Sequence, residues 1–209
     1  MSRSCLFCAL LLLLANGACT PWTIRPIEAE NAPAAGNPAR YVDSIWNSKL
    51  LPAVLNGAVD ARTLLDALVK SPADALTRYG HRDANGPPYL LVKGEGVVTK
   101  VDTQSRVGLA LIDVAPYDGK PDLSIQIGPV LRGTSLRDAT GVIRFTDFVN
   151  QLQFADVANE LNDRVLKTVL SGIDPATLKG KRVSFAGTAA ADATIRELTP
   201  VRLTVEETR

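Results

Sequence analysis

The stretch KGEGVVTKVDTQSRVGLALIDV (93–114) marks the point at which the chain changes from helical to strand-like patterning. Apolar and polar residues alternate over 93–101 and again over 106–114, and the four residues between the two runs suit a turn. Gly94 and Gly96 interrupt the first run and predict a bulge or a sharply coiled strand. The stretch therefore predicts a curved β-hairpin.

Downstream of the hairpin, the pattern predicts three more strands and one long helix. Residues 122–127, 182–187 and 200–206 alternate in the manner of half-buried strands, with Ser124 and Gln126 on the polar face of the first of them. A helix separates the third strand from the fourth, and Asn150 with Gln153 can form a capping-box pair at its start. The apolar stripe of this helix is Phe154, Ala158, Leu161, Val165 and Val169.

This order, three strands, one helix and two strands, is that of the OB-fold. The predicted fold class is mainly β with helices: an OB-fold-like five-stranded barrel (β-β-β-α-β-β) with a long insertion over 131–149. A simple open α+β sheet is the alternative. Upstream, apolar stripes and the capping residues Asn37 and Asp60 predict three short helices, with an interruption near Pro52. We expect one OB-like domain over 37–209, with a helical N-terminal part over 37–88.

The first residues have the three-part layout of a secretory signal peptide. A single positive charge at Arg3 precedes an apolar run over 5–15, and the small pair Gly17-Ala18 leads directly to Cys19. The run is shorter than the roughly 20 residues that a spanning helix needs. We therefore predict export, removal of residues 1–18, acylation of Cys19, a Pro- and Ala-rich linker over 19–36, and a periplasmic protein anchored to an envelope membrane by lipid.

Two processing routes are compatible with this leader. Asn16 occupies a position where lipoprotein signals usually carry Leu, Val or Ile, and an ordinary peptidase could cut directly before Cys19 or one residue earlier, leaving a free thiol. Cysteine use favours acylation, because Cys5 and Cys8 leave with the signal and Cys19 then has no intramolecular partner.

Composition argues against several functional classes. After removal of Arg3 the chain has 22 basic residues (23 minus one) against 22 acidic ones, and 5% of the whole chain is aromatic, which disfavours nucleic-acid binding. His81 is the only histidine, so neither a multi-histidine metal site nor a plausible Ser-His-Asp triad is expected. Phosphate-binding loops and dinucleotide fingerprints are absent from the sequence, and no cofactor or metal is predicted.

The insertion and the start of the following helix concentrate polar side chains beside Phe145 and Phe148. Guanidinium, amide and carboxylate groups bind sugar hydroxyls or small anions, and aromatic faces add apolar contact. The competing interpretation is structural: Arg137 and Asp138 pair, Thr134 caps a helix, and the two phenylalanines belong to the core. The candidate ligand-binding residues are Arg132, Thr134, Arg137, Asp138, Asp147, Asn150 and Gln151.

The same region resembles a known family. The segments GPVLRGTSLRDATGVIRFTDFVNQLQFADVANELN (128–162), YVDSIWNSKLLP (41–52) and LKGKRVSFAG (178–187) are similar to a bacterial family of predicted periplasmic lipoproteins, domain of unknown function 2291. The resemblance implies a lipoprotein with an OB-like barrel, often encoded beside sugar ABC importers. It implies no catalytic residues.

Three functional hypotheses follow. The first is a non-enzymatic lipoprotein, held by membrane lipid through Cys19, that assists sugar uptake by binding a small sugar or an importer component. The second is a hydrolase of envelope carbohydrate that uses Asp138 and Asp147 as a carboxylate pair. The third is a purely structural envelope protein.

Overall fold

The computed structural model describes residues 37–82, 87–191 and 195–206. The predicted signal peptide (1–18), Cys19 and the linker (19–36) lie outside the described residues.

The N-terminal part is helical. Asn37 caps the first helix by accepting a hydrogen bond from the Arg40 amide at 3.1 Å, and Asp60 caps the third by accepting one from the Thr63 amide at 3.1 Å, which confirms both predicted caps. The predicted interruption lies just before Pro52 and is a π-helical turn. The helices are α1 (Pro38–Ile45), the π-turn (Trp46–Leu50), α2 (Leu51–Gly57), α3 (Ala61–Lys70) and α4 (Pro72–Tyr79).

The rest of the chain forms a closed barrel. Its elements are β2 (Tyr89–Asp102), β3 (Leu109–Asp113), β4 (Leu123–Gln126), α5 (Ser135–Asp138), α6 (Gln151–Thr168), β5 (Arg182–Ala190) and β6 (Ile195–Val205). The strands run in the order β2-β3-β4-β6-β5, and β5 pairs again with β2 and so closes the barrel. The pair β4–β6 is parallel and the other four pairs are antiparallel. The predicted fold class is confirmed.

Several details differ from prediction: β3 begins at Leu109, later than predicted, and β6 begins at Ile195, five residues early. A two-residue strand β1 (Val59–Asp60) pairs in parallel with β2 and was not expected, because two residues carry no periodicity. Strand β2 begins at Tyr89, four residues early, because both of its faces are covered there and its side chains do not alternate. The irregularity of β2 lies between Val98 and Lys100, beyond Gly94 and Gly96. A Cβ on Gly96 would lie 2.7 Å from the Asp113 carbonyl oxygen, so this glycine permits close strand approach.

Two apolar clusters lie on opposite sides of the barrel wall. Alternate residues of β2 separate them, because Leu90 and Val92 point into the barrel while Leu91 points outward. The outer cluster joins the barrel surface to α1, α2 and α6. The inner cluster contains the barrel lining together with Leu64, Leu68 and other residues of α3 and α4. The barrel interior is therefore closed by α3, from the N-terminal part, while α6 covers the outside.

Candidate functional site

The first part of the insertion is held against the barrel by buried side chains. Gln126 is 2% exposed, so its predicted place on a polar, solvated face is wrong: the insertion covers it. Its amide nitrogen donates to the carbonyl oxygens of Arg132 at 3.1 Å and of Glu197 at 3.2 Å, and to the Thr199 hydroxyl at 3.1 Å. Its oxygen accepts from the Arg132 amide at 2.9 Å. One side chain thus binds both backbone polar groups of Arg132, the N–H and the carbonyl oxygen.

The next three residues are fixed in the same way. Asn162 of α6 donates to the Gly133 carbonyl at 3.1 Å, and the buried Thr188 hydroxyl of β5 donates to the Ser135 hydroxyl at 2.8 Å. The hydroxyls of Thr134 and Tyr89 lie 3.3 Å apart. Thr134 stands at the N-cap position of α5, but its side chain makes no capping hydrogen bond. The loop over 132–135 is therefore pre-organised.

Arg137 and Asp138 form a largely buried ion pair. Their side chains are 12% and 17% exposed, and the guanidinium donates to the carboxylate through Nε at 2.6 Å and through a terminal nitrogen at 3.0 Å. The other terminal nitrogen of Arg137 donates to the Phe154 carbonyl at 3.1 Å, and the guanidinium lies 3.7 Å from the Phe154 ring centroid. Tyr89 donates to Asp138 at 3.2 Å. These contacts agree with the structural interpretation of Arg137 and Asp138.

Glu197 lies in an irregular part of β6 and has an unusual backbone. Its φ of +54° is the only positive value for a non-glycine residue among the described residues. This conformation costs roughly 1–3 kcal/mol for a residue with a side chain, and such strain often marks functional sites. The Glu197 amide donates to the Ser124 hydroxyl at 3.0 Å. The Glu197 carboxylate accepts two hydrogen bonds from Arg132, one from Nε at 2.9 Å and one from a terminal nitrogen.

These groups surround an open cavity, which we call the Arg132 cleft, with a volume of about 470 Å³. Arg132 is reachable at its rim, because 61% of the side chain is exposed, and the bond to Glu197 raises the pKa of its guanidinium. The cleft therefore offers a guanidinium, a carboxylate and hydroxyl groups on a rigid frame. Its lining is Tyr89, Gln126, Arg132, Gly133, Thr134, Ser135, Ala190 and Glu197.

Only some of the predicted site residues meet here. Arg132 and Thr134 line the cleft, whereas Asp138 lines a neighbouring cavity of about 480 Å³ together with His81 and Arg144. The other predicted residues serve local structure or extend to solvent. Asp147 accepts from the Arg144 amide at 3.1 Å, Asn150 accepts from the Gln153 amide at 2.9 Å as the cap of α6, and Gln151 is exposed.

Three polar residues that line the cleft from the strands, Tyr89, Gln126 and Glu197, were missed from sequence. They come from three strands that are far apart along the chain; β4 and β6 are neighbours in the barrel, and β2 and β6 both pair with β5. Gln126 carried the one usable signal, because it is a polar residue near the end of a short alternating strand and precedes the insertion. Tyr89 and Glu197 carried none, since both lie outside the strands predicted over 93–101 and 200–206.

Titration of Tyr89 makes the stability of the fold depend on pH in the alkaline range. Burial raises the pKa of Tyr89 above its ordinary value, and the Asp138 carboxylate raises it further. A raised folded-state pKa contributes stability that is complete below about pH 10 and is lost as pH rises through the folded-state value.

We expect Tyr89→Phe to lower the free energy of unfolding by about 1 kcal/mol below pH 9, through the lost hydrogen bonds, and to make the decline above pH 10 shallower. Urea unfolding between pH 7 and 11.5 measures both effects. Part of the decline will remain, because burial also raises the pKa of Tyr41. A constant difference between Tyr89→Phe and wild type over the whole range would contradict the prediction.

Within 37–82, 87–191 and 195–206, histidine, cysteine, aspartate and glutamate side chains form no group of three or more that could hold a metal ion. The helices of the same residues include none with the length and hydropathy needed to cross a bilayer.

Comparison with known proteins supports both the fold and the localisation. The chain is similar to a crystal structure of an OB-fold protein from Thermotoga maritima, with 24% identity, 81% of this chain and 98% of that chain covered, and a TM-score of 0.66. This likeness supports the fold. No curated protein matches the chain. The sequence profile of a family described as predicted periplasmic lipoprotein matches residues 8–204, which confirms the predicted periplasmic, lipid-anchored localisation. The chain belongs to this family of predicted periplasmic lipoproteins, DUF2291.

Proposed function

We propose that this protein is a non-enzymatic, lipid-anchored accessory component of solute uptake that binds a small polar solute, in the first place a sugar, in the Arg132 cleft. The observation that carries the proposal is the fixed pair of Arg132 and Glu197. A strained backbone holds the carboxylate beside an exposed guanidinium, and paired charged and hydroxyl groups of this kind form directional hydrogen bonds with sugar hydroxyls.

The rigidity of the cleft supports the same conclusion. The loop that carries Arg132 and Thr134 is held by Gln126, Asn162, Tyr89 and Thr188 before any solute arrives. Binding then costs little ordering of the protein, which favours affinity for a small ligand. The uptake role is inferred from the periplasmic localisation and from the resemblance described above, which implies genes beside sugar importers.

The first test measures binding of a panel of neutral mono- and disaccharides to the purified mature protein, by calorimetry and by thermal unfolding. We expect at least one sugar to raise the unfolding midpoint, since a ligand bound only by the folded state stabilises it. Glu197→Gln keeps the side-chain volume and removes the charge, and we expect it to weaken binding at least tenfold. The matched control, Glu95→Gln, changes an exposed glutamate that lines a different cavity and should alter affinity less than twofold.

Each outcome has a defined meaning. If no sugar shifts the midpoint, ligand binding is rejected; if Glu197→Gln binds like wild type, the ligand lies elsewhere. The same panel, followed for turnover, tests the hydrolase hypothesis: unchanged turnover in Asp138→Asn and Asp147→Asn, or no turnover at all, removes it. A purely structural protein predicts no midpoint shift with any solute.

The second test concerns the uptake partner. A photoreactive amino acid replaces Val130, an exposed residue two positions before the loop over 132–135, and proteins captured in intact cells are identified. The control carries the same group at Val69 on α3. We expect capture of an importer subunit from position 130 and not from position 69. Recovery of no importer subunit from position 130 would reject the uptake role.

A further inference from the structure

Exposed apolar side chains concentrate at one place on the surface. Of the six large hydrophobic side chains exposed in the described residues, three fall within eight consecutive positions: Phe145 is 50% exposed, Val149 46% and Leu152 71%. We call these three residues the apolar patch. It spans the 3-10 turn Phe145–Asp147 and the first turn of α6. Hydrogen bonds that involve Asp147 and Asn150 fix both turns, so the patch is presented rigidly.

The apolar patch lies close to the beginning of the described chain. A continuous series of ring contacts leads from α1 to the patch: Tyr41 to Phe148 at 5.3 Å between centroids, Phe148 to Phe154 at 5.5 Å, and Phe154 to Phe145 at 5.4 Å. Asn37 precedes Tyr41 by about one helical turn, roughly 6 Å along the helix axis. The segment that leads to the lipid attachment site therefore enters the folded chain beside the patch.

The length of that segment limits the distance between the patch and the membrane. Seventeen residues separate Cys19 from Asn37, and even a fully extended chain of this length reaches only about 60 Å. The segment therefore keeps the folded chain near the membrane and permits Phe145, Val149 and Leu152 to reach the bilayer surface. Aromatic and aliphatic side chains in such a position are stabilised in the interfacial region.

We propose that the apolar patch is a membrane-docking surface, and that its occupant is the lipid surface to which Cys19 is anchored. Phe145, Val149 and Leu152 enter the interfacial region and fix the orientation of the barrel. Arg144, next to Phe145 and exposed, adds attraction to anionic headgroups. The inference rests on the lipid anchor and is independent of solute binding in the Arg132 cleft.

The test places a fluorophore on the acylated mature protein in vesicles of phosphatidylethanolamine and phosphatidylglycerol. Because Cys5 and Cys8 leave with the signal and Cys19 is acylated, a cysteine introduced by Leu152→Cys is the only free thiol. The control is Val69→Cys, an 85% exposed residue of α3, whose helix packs on the inner cluster. We expect a lipid with a nitroxide near its headgroup to quench position 152 at least threefold more than position 69.

A second variant separates docking from mere proximity. Phe145→Asp, combined with the label at 152, should bring quenching down to the level of position 69 while the circular dichroism spectrum is unchanged. Equal quenching at positions 152 and 69 would overturn the proposal. So would a mass spectrum without the acyl group, or energy transfer between labels at 152 at high lipid dilution, which would show a second copy of the chain on the patch.

Discussion

Replacing Arg137 with methionine is expected to lower the free energy of unfolding by about 3 kcal/mol. Methionine keeps the contact of an apolar chain with Phe154 but removes the two hydrogen bonds to Asp138 and the one to the Phe154 carbonyl. Among the described residues, the Asp138 carboxylate, 17% exposed, then keeps only Tyr89 as a donor. Removing one partner of a buried ion pair costs about 3–5 kcal/mol, because the other charge remains buried and uncompensated.

Urea unfolding followed by circular dichroism measures this change. In thermal unfolding of a chain of this size, a loss of about 3 kcal/mol corresponds to a melting temperature roughly 6–12 °C lower. Arg137→Met combined with Asp138→Asn should recover at least about 1 kcal/mol, because the buried charge is gone and the acceptor for Tyr89 remains. The matched control is Arg132→Met. The Arg132 side chain also pairs with a carboxylate but is exposed, so its loss should leave the free energy of unfolding nearly unchanged. Equal effects of the two single variants would contradict the buried character of the Arg137–Asp138 pair.

Leu64→Ala is expected to be the most damaging core substitution in the N-terminal helices, at about 3–4 kcal/mol. Leu64 is fully buried in the inner cluster, between α3 and the barrel lining. Truncation leaves a cavity that the barrel walls cannot fill, because hydrogen bonds around the closed sheet hold them in place. The same urea experiment measures the loss.

Val69→Ala is the matched control on the same helix. Its side chain is 85% exposed, so we expect a change within about 0.5 kcal/mol. Similar values for Leu64→Ala and Val69→Ala would mean that α3 does not seal the barrel interior. A large difference would mean that the barrel strands alone, from Tyr89 onward, lack part of their own core.

The barrel could be predicted because its strands and helix repeat a simple pattern. The alternation in 93–101, 106–114 and 122–127 and the 3.6-residue stripe of α6 are each long enough to identify an element, and their order then restricts the topology. The role of α3 could not be predicted. An apolar stripe shows that a helix is buried on one side, but it does not show whether Leu64 and Leu68 face the barrel interior or its outer surface.

The candidate site was predicted only where it is local in sequence. Arg132 and Thr134 were identified because they belong to one polar segment, and Asp147 and Asn150 were included for the same reason although they stabilise turns. Glu197 and Tyr89 join the site through the pairing of strands, which brings β6 beside β4 and the start of β2 beside the end of β5. Long-range pairing of this kind has no counterpart in local periodicity.

The hydrogen bonds between the Gln126 side chain and the Arg132 backbone have a kinetic consequence. Both backbone polar groups of Arg132 are engaged by a single amide, so the floor of the cleft has no alternative arrangement to adopt when a solute enters. The exposed guanidinium at the rim is held in turn by its two hydrogen bonds to Glu197. If the cleft binds a solute as we propose, association is then expected not to be slowed by a conformational change, and release to need no conformational step.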